Sequence, residues 1–493
     1  MSKLQRSLLF SILLFALIVR LIGIPWGTQI FDKYVGSSRY HPDELKIISG
    51  AENFPEDIFL RTDLRYPTAL HYTIGILGLP IRLAVKQATG NFNELQLYLL
   101  LGRLVSTLFG VAGIYLTYRL AKKLANVNSG LIAAGLLAVS LYYVRESSVS
   151  TTDIATSFWA IVVLLLATKI TPASGWKTYI ALGVVSGMLV GTKYSGAFAL
   201  IPLGIWLITM IYSAPSRNVR NKILVLLGLS IITGVITFLV TTPSILIRPG
   251  AFLDSLNYES QRVAGLRSPW WDYSILTYFF TSLTQATNLF ICIAIIAALI
   301  AIVIKRPNIH LVAYAILILC FYLYFNTALL VRYWTLVLPP ACILAGWGIE
   351  KLISASNKIP MFLGISILVL CITTGIYENY LLGRLLFNDT RTKATQFIGQ
   401  LPANSTFLLG LNSTKADRWE YPFVEHIAKD PSEIPDYIIL SDFSNDKFPD
   451  NGMLDLKIQK KNIPYQEIAV FAPIETLKVE FLSPTIEIFK LNK

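Results

Sequence analysis

Charge is scarce in this chain of 493 residues: Asp, Glu, Lys and Arg make up 15% of it, against 54% hydrophobic residues. A soluble domain cannot hide that much apolar surface, because its surface grows too fast relative to its core. A bilayer accommodates it. Cysteine is scarcer still. Cys292, Cys320, Cys342 and Cys371 all lie inside apolar runs, which excludes a disulfide framework and a thiolate metal site. The four His show no zinc-ligand spacing, and no Walker loop, Gly-rich dinucleotide loop or HExxH segment is present. These absences argue against a donor taken as a cytoplasmic nucleotide and for one carried in the lipid phase. The formal charge of +12 reads as basic cytoplasmic loops, not as a nucleic-acid surface.

What the chain does have is a series of long apolar runs. About 20 apolar residues cross the hydrocarbon of a bilayer. Such runs predict about 11 spans, near 7–24, 97–119, 129–145, 155–170, 178–192, 196–212, 222–242, 275–304, 310–327, 333–350 and 360–379. The first follows Lys3 and Arg6 and runs into Pro25-Trp26 without a small-residue cleavage site, so it reads as a retained helix. Alternate connections hold Lys3 and Arg6; Arg119, Lys122 and Lys123; Lys169 and Lys177; Arg217, Arg220 and Lys222; Lys305 and Arg306; Lys351 and Lys358. Short basic connections face the cytoplasm. The N-terminus is therefore expected inside, and the loops 25–96 and 243–274 and the tail outside, in an inner or plasma membrane. Residues 69–86, interrupted by His71, Arg82 and Lys86, are expected to lie along the interface, because a crossing there would turn the basic set outward.

After about residue 384 the character changes. A helix is predicted over Asp389–Gln400, capped by Asn388 or Asp389. Strands are predicted at Thr406–Leu411, Tyr437–Ser441, Glu467–Phe471 and Thr485–Leu491. The expectation is a polytopic α-helical membrane domain over 1–383, with a first outer loop at 25–96, and a small extracytoplasmic α/β domain over 384–493.

The first outer loop carries Tyr40-His41-Pro42-Asp43-Glu44. Adjacent carboxylates beyond a membrane helix suit a general base; the same residues also suit a plain helix start. The second outer loop holds Arg145-Glu146-Ser147-Ser148 and then Thr151-Thr152-Asp153, where Asp153 reads equally as an N-cap. Arg20, Arg103, Arg145, Lys193 and Arg332 map to the outer half of the helices, a place that the positive-inside rule disfavours. Each alone can snorkel to the interface. Their recurrence at one depth points to a shared anion such as a lipid-linked phosphate.

Taken in order, several motifs give the chain a family likeness: His41-Pro42-Asp43-Glu44, Tyr66-Pro67, Gly102-Arg103-Leu104-Val105-Ser106, Arg145 with Asp153, Gly191-Thr192-Lys193-Tyr194-Ser195-Gly196, Arg332-Tyr333 before Pro339-Pro340, and Asp389-Thr390-Arg391 with Ala394 and Phe397. The chain resembles the GT-C membrane glycosyltransferases that use polyprenyl-phosphate sugars, particularly the group of protein O-mannosyltransferases and aminoarabinose transferases. The resemblance implies a GT-C fold and an undecaprenyl- or dolichyl-phosphate sugar donor on the outer face. It implies Asp43 as general base with Glu44 as neighbour or substitute, and transfer with inversion. Lys193, Arg332, Arg103 and Arg145 would hold the donor phosphate, Asp153 would position acceptor or sugar or orient Arg145, and His41, Tyr66 and Tyr333 would position substrate. No metal ligand is assigned, although a divalent cation at Asp43, Glu44 and Asp153 is compatible with three carboxylates. No outer loop has room for the β-trefoil of eukaryotic O-mannosyltransferases, so a lipid or envelope-glycan acceptor stays as open as a protein. The competing reading is a polyprenyl-phosphate-linked lipid transporter or flippase; the absence of an internal repeat and the outer-edge placement of the ionisable residues count against it.

Overall fold

The computed structural model describes residues 2–28, 41, 43–89, 94–269, 272–305, 307–402, 404–409, 426–427, 436–441, 465–473, 477 and 485–491. Pro42, Arg306 and the end of the first expected strand at 410–411 lie outside the described residues. The chain divides into two compact units. The first comprises Met1–Leu21, Ile47–Phe92 and Leu101–Asn379, and the second Ile22–Lys46, Asn93–Leu100 and Tyr380–Lys493.

Helices dominate the described residues. They begin with α1 (Lys3–Gly23), α2 (Glu44–Glu52), α3 (Glu56–Leu60), α4 (Ala69–Thr89) and α5 (Glu94–Leu124). Next come α6 (Val127–Val139), α7 (Leu141–Glu146), α8 (Thr152–Ala167) and α9 (Trp176–Thr192). A 3-10 helix over Tyr194–Ala199 leads into α10 (Leu200–Tyr212), followed by α11 (Arg217–Thr241), α12 (Ser244–Ile247) and α13 (Pro249–Leu266). The series continues with α14 (Ser274–Ala286), α15 (Leu289–Lys305) and α16 (Ile309–Phe325). After 3-10 helices at Asn326–Ala328 and Val331–Leu336 come α17 (Leu338–Ile353), α18 (Lys358–Phe387) and α19 (Thr390–Ile398).

By length and composition six helical stretches among the described residues can cross a membrane: Lys3–Gly23, Glu94–Leu124, Tyr194–Tyr212, Arg217–Thr241, Ile309–Ala328 and Lys358–Ile398. Three shorter apolar helices, α6, α8 and α15, accompany them. α11 and α18 each expose about half of their apolar side chains and bury few of them fully, as helices facing lipid do. α4, expected at the interface, is a continuous helix outside the set able to cross.

Two apolar runs that read as single spans are broken in the structure. The run 275–304 divides into α14 and α15 at Thr287-Asn288, where Thr287 leaves helical geometry. Asn288 Oδ1 accepts from Ile291 N at 2.9 Å and so caps α15, while its Nδ2 donates to Cys371 O. The run 129–145 breaks at Ser140, in extended geometry between α6 and α7. Leu141 N donates to Thr287 O at 3.5 Å, so the two breaks face each other. Irregular backbone in a membrane survives only where protein satisfies it.

The pair α9 and α11 packs at backbone contact. A Cβ on Gly183 would stand 2.3 Å from Ser230 O, and one on Gly187 2.5 Å from Gly234 O. Small residues four apart let membrane helices approach this closely. The contact fixes the C-terminal half of α9, after which Lys193 follows.

In the second unit, β1 (Thr406–Leu409), β2 (His426–Ile427), β3 (Tyr437–Ser441), β4 (Tyr465–Phe471) and β5 (Ile486–Leu491) form a sheet of order β2-β1-β3-β5-β4. The β2-β1-β3 side is parallel and the β3-β5-β4 side antiparallel. Ala394 and Ile398 of α19 pack with Phe407, Tyr437, Ile439, Ile486 and Ile488. The helix predicted over 389–400 is α19, and Asp389 is its cap, accepting from Arg391 N at 3.0 Å.

Candidate functional site

In the first unit, three chain breaks bring charged side chains into a buried cluster. The first is the turn after α7. Arg145 and Glu146 form a buried ion pair there, and Glu146 Oε2 accepts from Thr151 Oγ1 at 3.0 Å. The turn lies close to α5: a Cβ on Gly102 would meet Ser150 Oγ at 2.3 Å, and Thr107 Oγ1 donates to Ser147 O at 2.9 Å. Close packing therefore accounts for Gly102 of the Gly102–Ser106 motif, and Arg103 is buried on the same helix.

The second break follows α9. Lys193 is extended (φ −158°, ψ 132°) between α9 and the 3-10 helix. Its Nζ donates to Asp153 Oδ1, in the first turn of α8, at 2.7 Å. The Lys193 and Asp153 side chains are 13% and 6% exposed, so this is a largely desolvated pair, unlike a surface bridge. The third break is the 3-10 helix before α17, which carries buried Arg332 and half-buried Tyr333. Trp334, fully buried, anchors it by donating from Nε1 to Ser282 Oγ at 3.1 Å and by stacking on Tyr322. Lys193 Nζ lies 4.2 Å from the centre of the Tyr333 ring, and the Arg332 guanidinium 6.0 Å from it. A cation over an aromatic face is stabilised by the ring quadrupole.

Burial pushes the Glu146 carboxyl above its usual range, and neighbouring Asp153 adds to this, while Arg145 and Arg332 pull it back. The cations read as a ring around one anion are therefore interleaved with carboxylates: Arg145 with Glu146, Lys193 with Asp153. Arg20 belongs elsewhere. It donates to the carbonyls of Ala16 and Ala138 and lies over Tyr143, at the C-terminal end of α6, where a cation suits the helix dipole.

Beside Lys193 is a cavity of about 360 Å³, lined by Arg65, Tyr66, Lys193, Tyr194, Glu259, Arg262 and Tyr333 among others. It falls in the size class of small-molecule sites, about 300–1,000 Å³. One wall of it is α13 and the segment before α4. Arg262 donates to Glu259 Oε2 at 2.9 Å and to Tyr333 Oη at 3.1 Å. Arg65 is held by Asp63 and lies over Tyr258. Tyr194 Oη donates to Leu64 O at 2.8 Å, and Leu64 N to Ser255 Oγ at 3.1 Å. Arg65, Glu259 and Arg262 were not singled out from the sequence. The available signal was Arg262, a basic residue in the segment 243–274 three residues after a carboxylate.

Asp43 and Glu44 belong to the second unit. Asp43 N donates to Nδ1 of buried His41 at 3.2 Å, and Lys46 Nζ is 3.7 Å from Asp43 Oδ1. Glu44 is buried in the first turn of α2, where the helix dipole favours a carboxylate. Of the two, Asp43 keeps the more accessible carboxylate. The same unit holds Asp389 in a closed set: Arg391 donates to both its oxygens at 2.9 and 2.8 Å, and Trp26 Nε1 donates at 2.9 Å. Burial alone would raise that carboxyl, but the Arg391 charge and these hydrogen bonds outweigh it and hold it below its ordinary range. Among the described residues no three His, Cys, Asp or Glu side chains come together as a metal ion would require.

Comparison with known proteins sharpens this picture. The family model Dolichyl-phosphate-mannose-protein mannosyltransferase matches residues 98–241, the segment that contains Arg103, Arg145, Asp153 and Lys193. No curated protein matches in sequence. In structure the chain is similar to ArnT from Cupriavidus metallidurans bound to undecaprenyl phosphate, with 14% identity, 97% of each chain covered and a TM-score of 0.53. It is also similar to the oligosaccharyltransferase AglB from Archaeoglobus fulgidus in complex with an inhibitory peptide and a dolichol-phosphate. There the identity is 13%, the coverage 94% of this chain and 69% of that one, and the TM-score 0.50. With its apolar helices the chain is an integral membrane protein, and these likenesses show that it shares the fold of ArnT and AglB.

Proposed function

We propose that the protein moves a sugar from undecaprenyl or dolichyl phosphate to an acceptor hydroxyl or amine on the extracytoplasmic face, with inversion. The observation that carries this reading is the desolvated Lys193–Asp153 pair under Tyr333, opening on a cavity that also holds Arg65 and Arg262. A phosphate ester entering there meets cations held in place by their neighbours, so little reorganisation is needed as the leaving group gains charge. The ligands named for ArnT and AglB, undecaprenyl phosphate and dolichol-phosphate, support a donor of that class.

In the reaction, an acceptor oxygen or nitrogen forms a bond to the anomeric carbon while the bond from that carbon to the phosphate oxygen breaks. The acceptor proton passes to Asp43, which its backbone bond to His41 orients, with Glu44 as neighbour. The polyprenyl phosphate leaves as an anion, stabilised by Lys193 and Arg332, with Arg103 and Arg145 completing the basic surroundings. Asp153 positions Lys193 and through it the donor; Tyr66 and Tyr333 shape the sugar site. The architecture that goes with this reading has eleven spans, the N-terminus in the cytoplasm, a membrane domain over 1–383 and an α/β domain over 384–493 outside. A lipid, a glycan or a protein serves as acceptor in this scheme.

The test is Asp43→Asn, assayed with a radiolabelled polyprenyl-phosphate sugar. A positioned general base contributes about 10²–10⁴-fold, so transfer should fall by that factor in a protein that still inserts and folds. Undiminished transfer would remove Asp43 as base.

One observation favours the transport reading: the helices are interrupted beside the charged cluster, at Ser140, Lys193 and Thr287, as in transporters with discontinuous helices. Purified protein in vesicles separates the two. A transporter equilibrates a labelled polyprenyl phosphate across the bilayer without acceptor, and a transferase does not.

A further inference from the structure

A second cavity, outside the charged cluster, lies at the opposite end of the helices, between α15, α17 and α18. It measures about 670 Å³. One face of α15 lines it with Ala294, Ala297, Ala298 and Ala301, ending at Lys305; α17 adds Trp347, Gly348 and Lys351, and α18 Ile367. The alanines and Lys305 recur at helical spacing on one face. Elsewhere α15 is bulky, with Ile293, Ile300, Val303 and Ile304 exposed, so the trough is confined to the alanine face. A Cβ on Gly348 would lie 3.5 Å from Ala298 Cβ, which makes this contact the floor of the trough.

Three properties narrow the occupant. From residue 294 to residue 305 the helix rises about 16 Å at 1.5 Å per residue. That equals half of a hydrocarbon core about 30 Å thick, the depth of one leaflet. The lining is otherwise apolar, as an acyl chain requires. At the end of the trough stand two ammonium groups, Lys305 and Lys351, and neither meets a carboxylate among the described residues. The neighbouring carboxylate, Glu350, is buried and accepts from Ser354 Oγ at 2.8 Å. Basic pockets between membrane helices select anionic headgroups.

We infer that this trough binds one anionic phospholipid, with its headgroup phosphate on Lys305 and Lys351 and an acyl chain along Ala301, Ala298 and Ala294. The inference is independent of the sugar-transfer reading.

The test uses the full-length protein, delipidated in detergent and titrated with dioleoylphosphatidylglycerol or dioleoylphosphatidylcholine under native mass spectrometry. One phosphatidylglycerol should bind in preference to phosphatidylcholine. At about tenfold in affinity per 1.4 kcal/mol, and one such step or a little less per lysine, Lys305→Gln with Lys351→Gln should weaken it about thirtyfold. Ala301→Phe, which fills the trough and keeps both charges, should abolish the same adduct. Three results would overturn the inference: equal binding of the two lipids, phosphatidylglycerol binding unchanged in the double glutamine variant, or a dimer of this chain lost on the same substitutions, which would assign the trough to a second copy.

Discussion

Lys193 gives the sharpest test of how the charged cluster works, because its ammonium is tied to Asp153 and at the same time lines the cavity. Lys193→Met removes the cation and leaves the Asp153 carboxylate buried. Breaking a buried pair from one side costs about 3–5 kcal/mol, most of it the stranded charge. With an unfolding entropy of roughly 1 kcal/mol/K for a chain this long, a loss of 4 kcal/mol lowers Tm by about 4 °C. Helices that persist in the membrane-unfolded state reduce that entropy and enlarge the shift. Asp153→Asn should cost a similar amount. The double variant Lys193→Met with Asp153→Leu should recover much of the loss, since a well-packed apolar pair can match a buried ion pair.

Donor binding should separate the two single variants. Lys193→Met removes a charge-assisted hydrogen bond, worth about 1.5–3 kcal/mol, so affinity for a polyprenyl-phosphate donor should fall roughly 10–150-fold. Asp153→Asn keeps the ammonium but releases it from its carboxylate, so donor binding should be kept or tightened, while transfer falls as Lys193 loses its fixed position and stability falls with it. The assay is thermal unfolding in nanodiscs together with donor titration by intrinsic Trp fluorescence. Equal losses of stability and donor binding in both variants would refute the reasoning and make the pair a structural strut.

Other expectations follow from the same geometry. Because the Asp389 carboxyl is held below its ordinary value of 3.8 in the folded chain, its contribution is fully present above about pH 4 and is lost as pH falls through the lower folded value. Asp389→Asn should flatten that acid-side loss, measured by near-UV circular dichroism, and should lower stability at neutral pH by stranding Arg391; an unchanged acid profile would count against the assignment. Gly187→Ala should cost about 1–3 kcal/mol by overpacking, because the new methyl meets the Gly234 carbonyl at 2.5 Å. Since α9 leads into Lys193, the same variant should lower transfer; wild-type thermal stability would contradict the close packing. Asn257→Cys, on an exposed position of α13, should react with an impermeant maleimide in intact cells, and protection would reverse the orientation drawn from the basic loops.

The sequence was sufficient wherever a property depends on one segment at a time. The apolar runs report helices that face lipid because a bilayer selects length and hydropathy locally; the Asp389 cap and α19 were legible because capping is a contact within one turn. Arg145, Lys193 and Arg332 could also be singled out one by one, since a cation in an apolar segment is costly wherever it occurs. Which partner each cation has is another matter. Asp153 and Lys193 are 40 residues apart and Arg262 and Tyr333 71 apart, and only packing of separate helices creates those contacts. The breaks at Ser140 and Thr287 escaped hydropathy for the same reason: each run is apolar throughout, and what permits a break is a partner carbonyl or amide supplied by a distant segment. Composition thus determined the membrane, the span-like runs and the candidate charges, while tertiary structure decided that the charges interleave as pairs around a cavity, because electrostatics in a desolvated site depends on distances of a few ångströms that no single segment encodes.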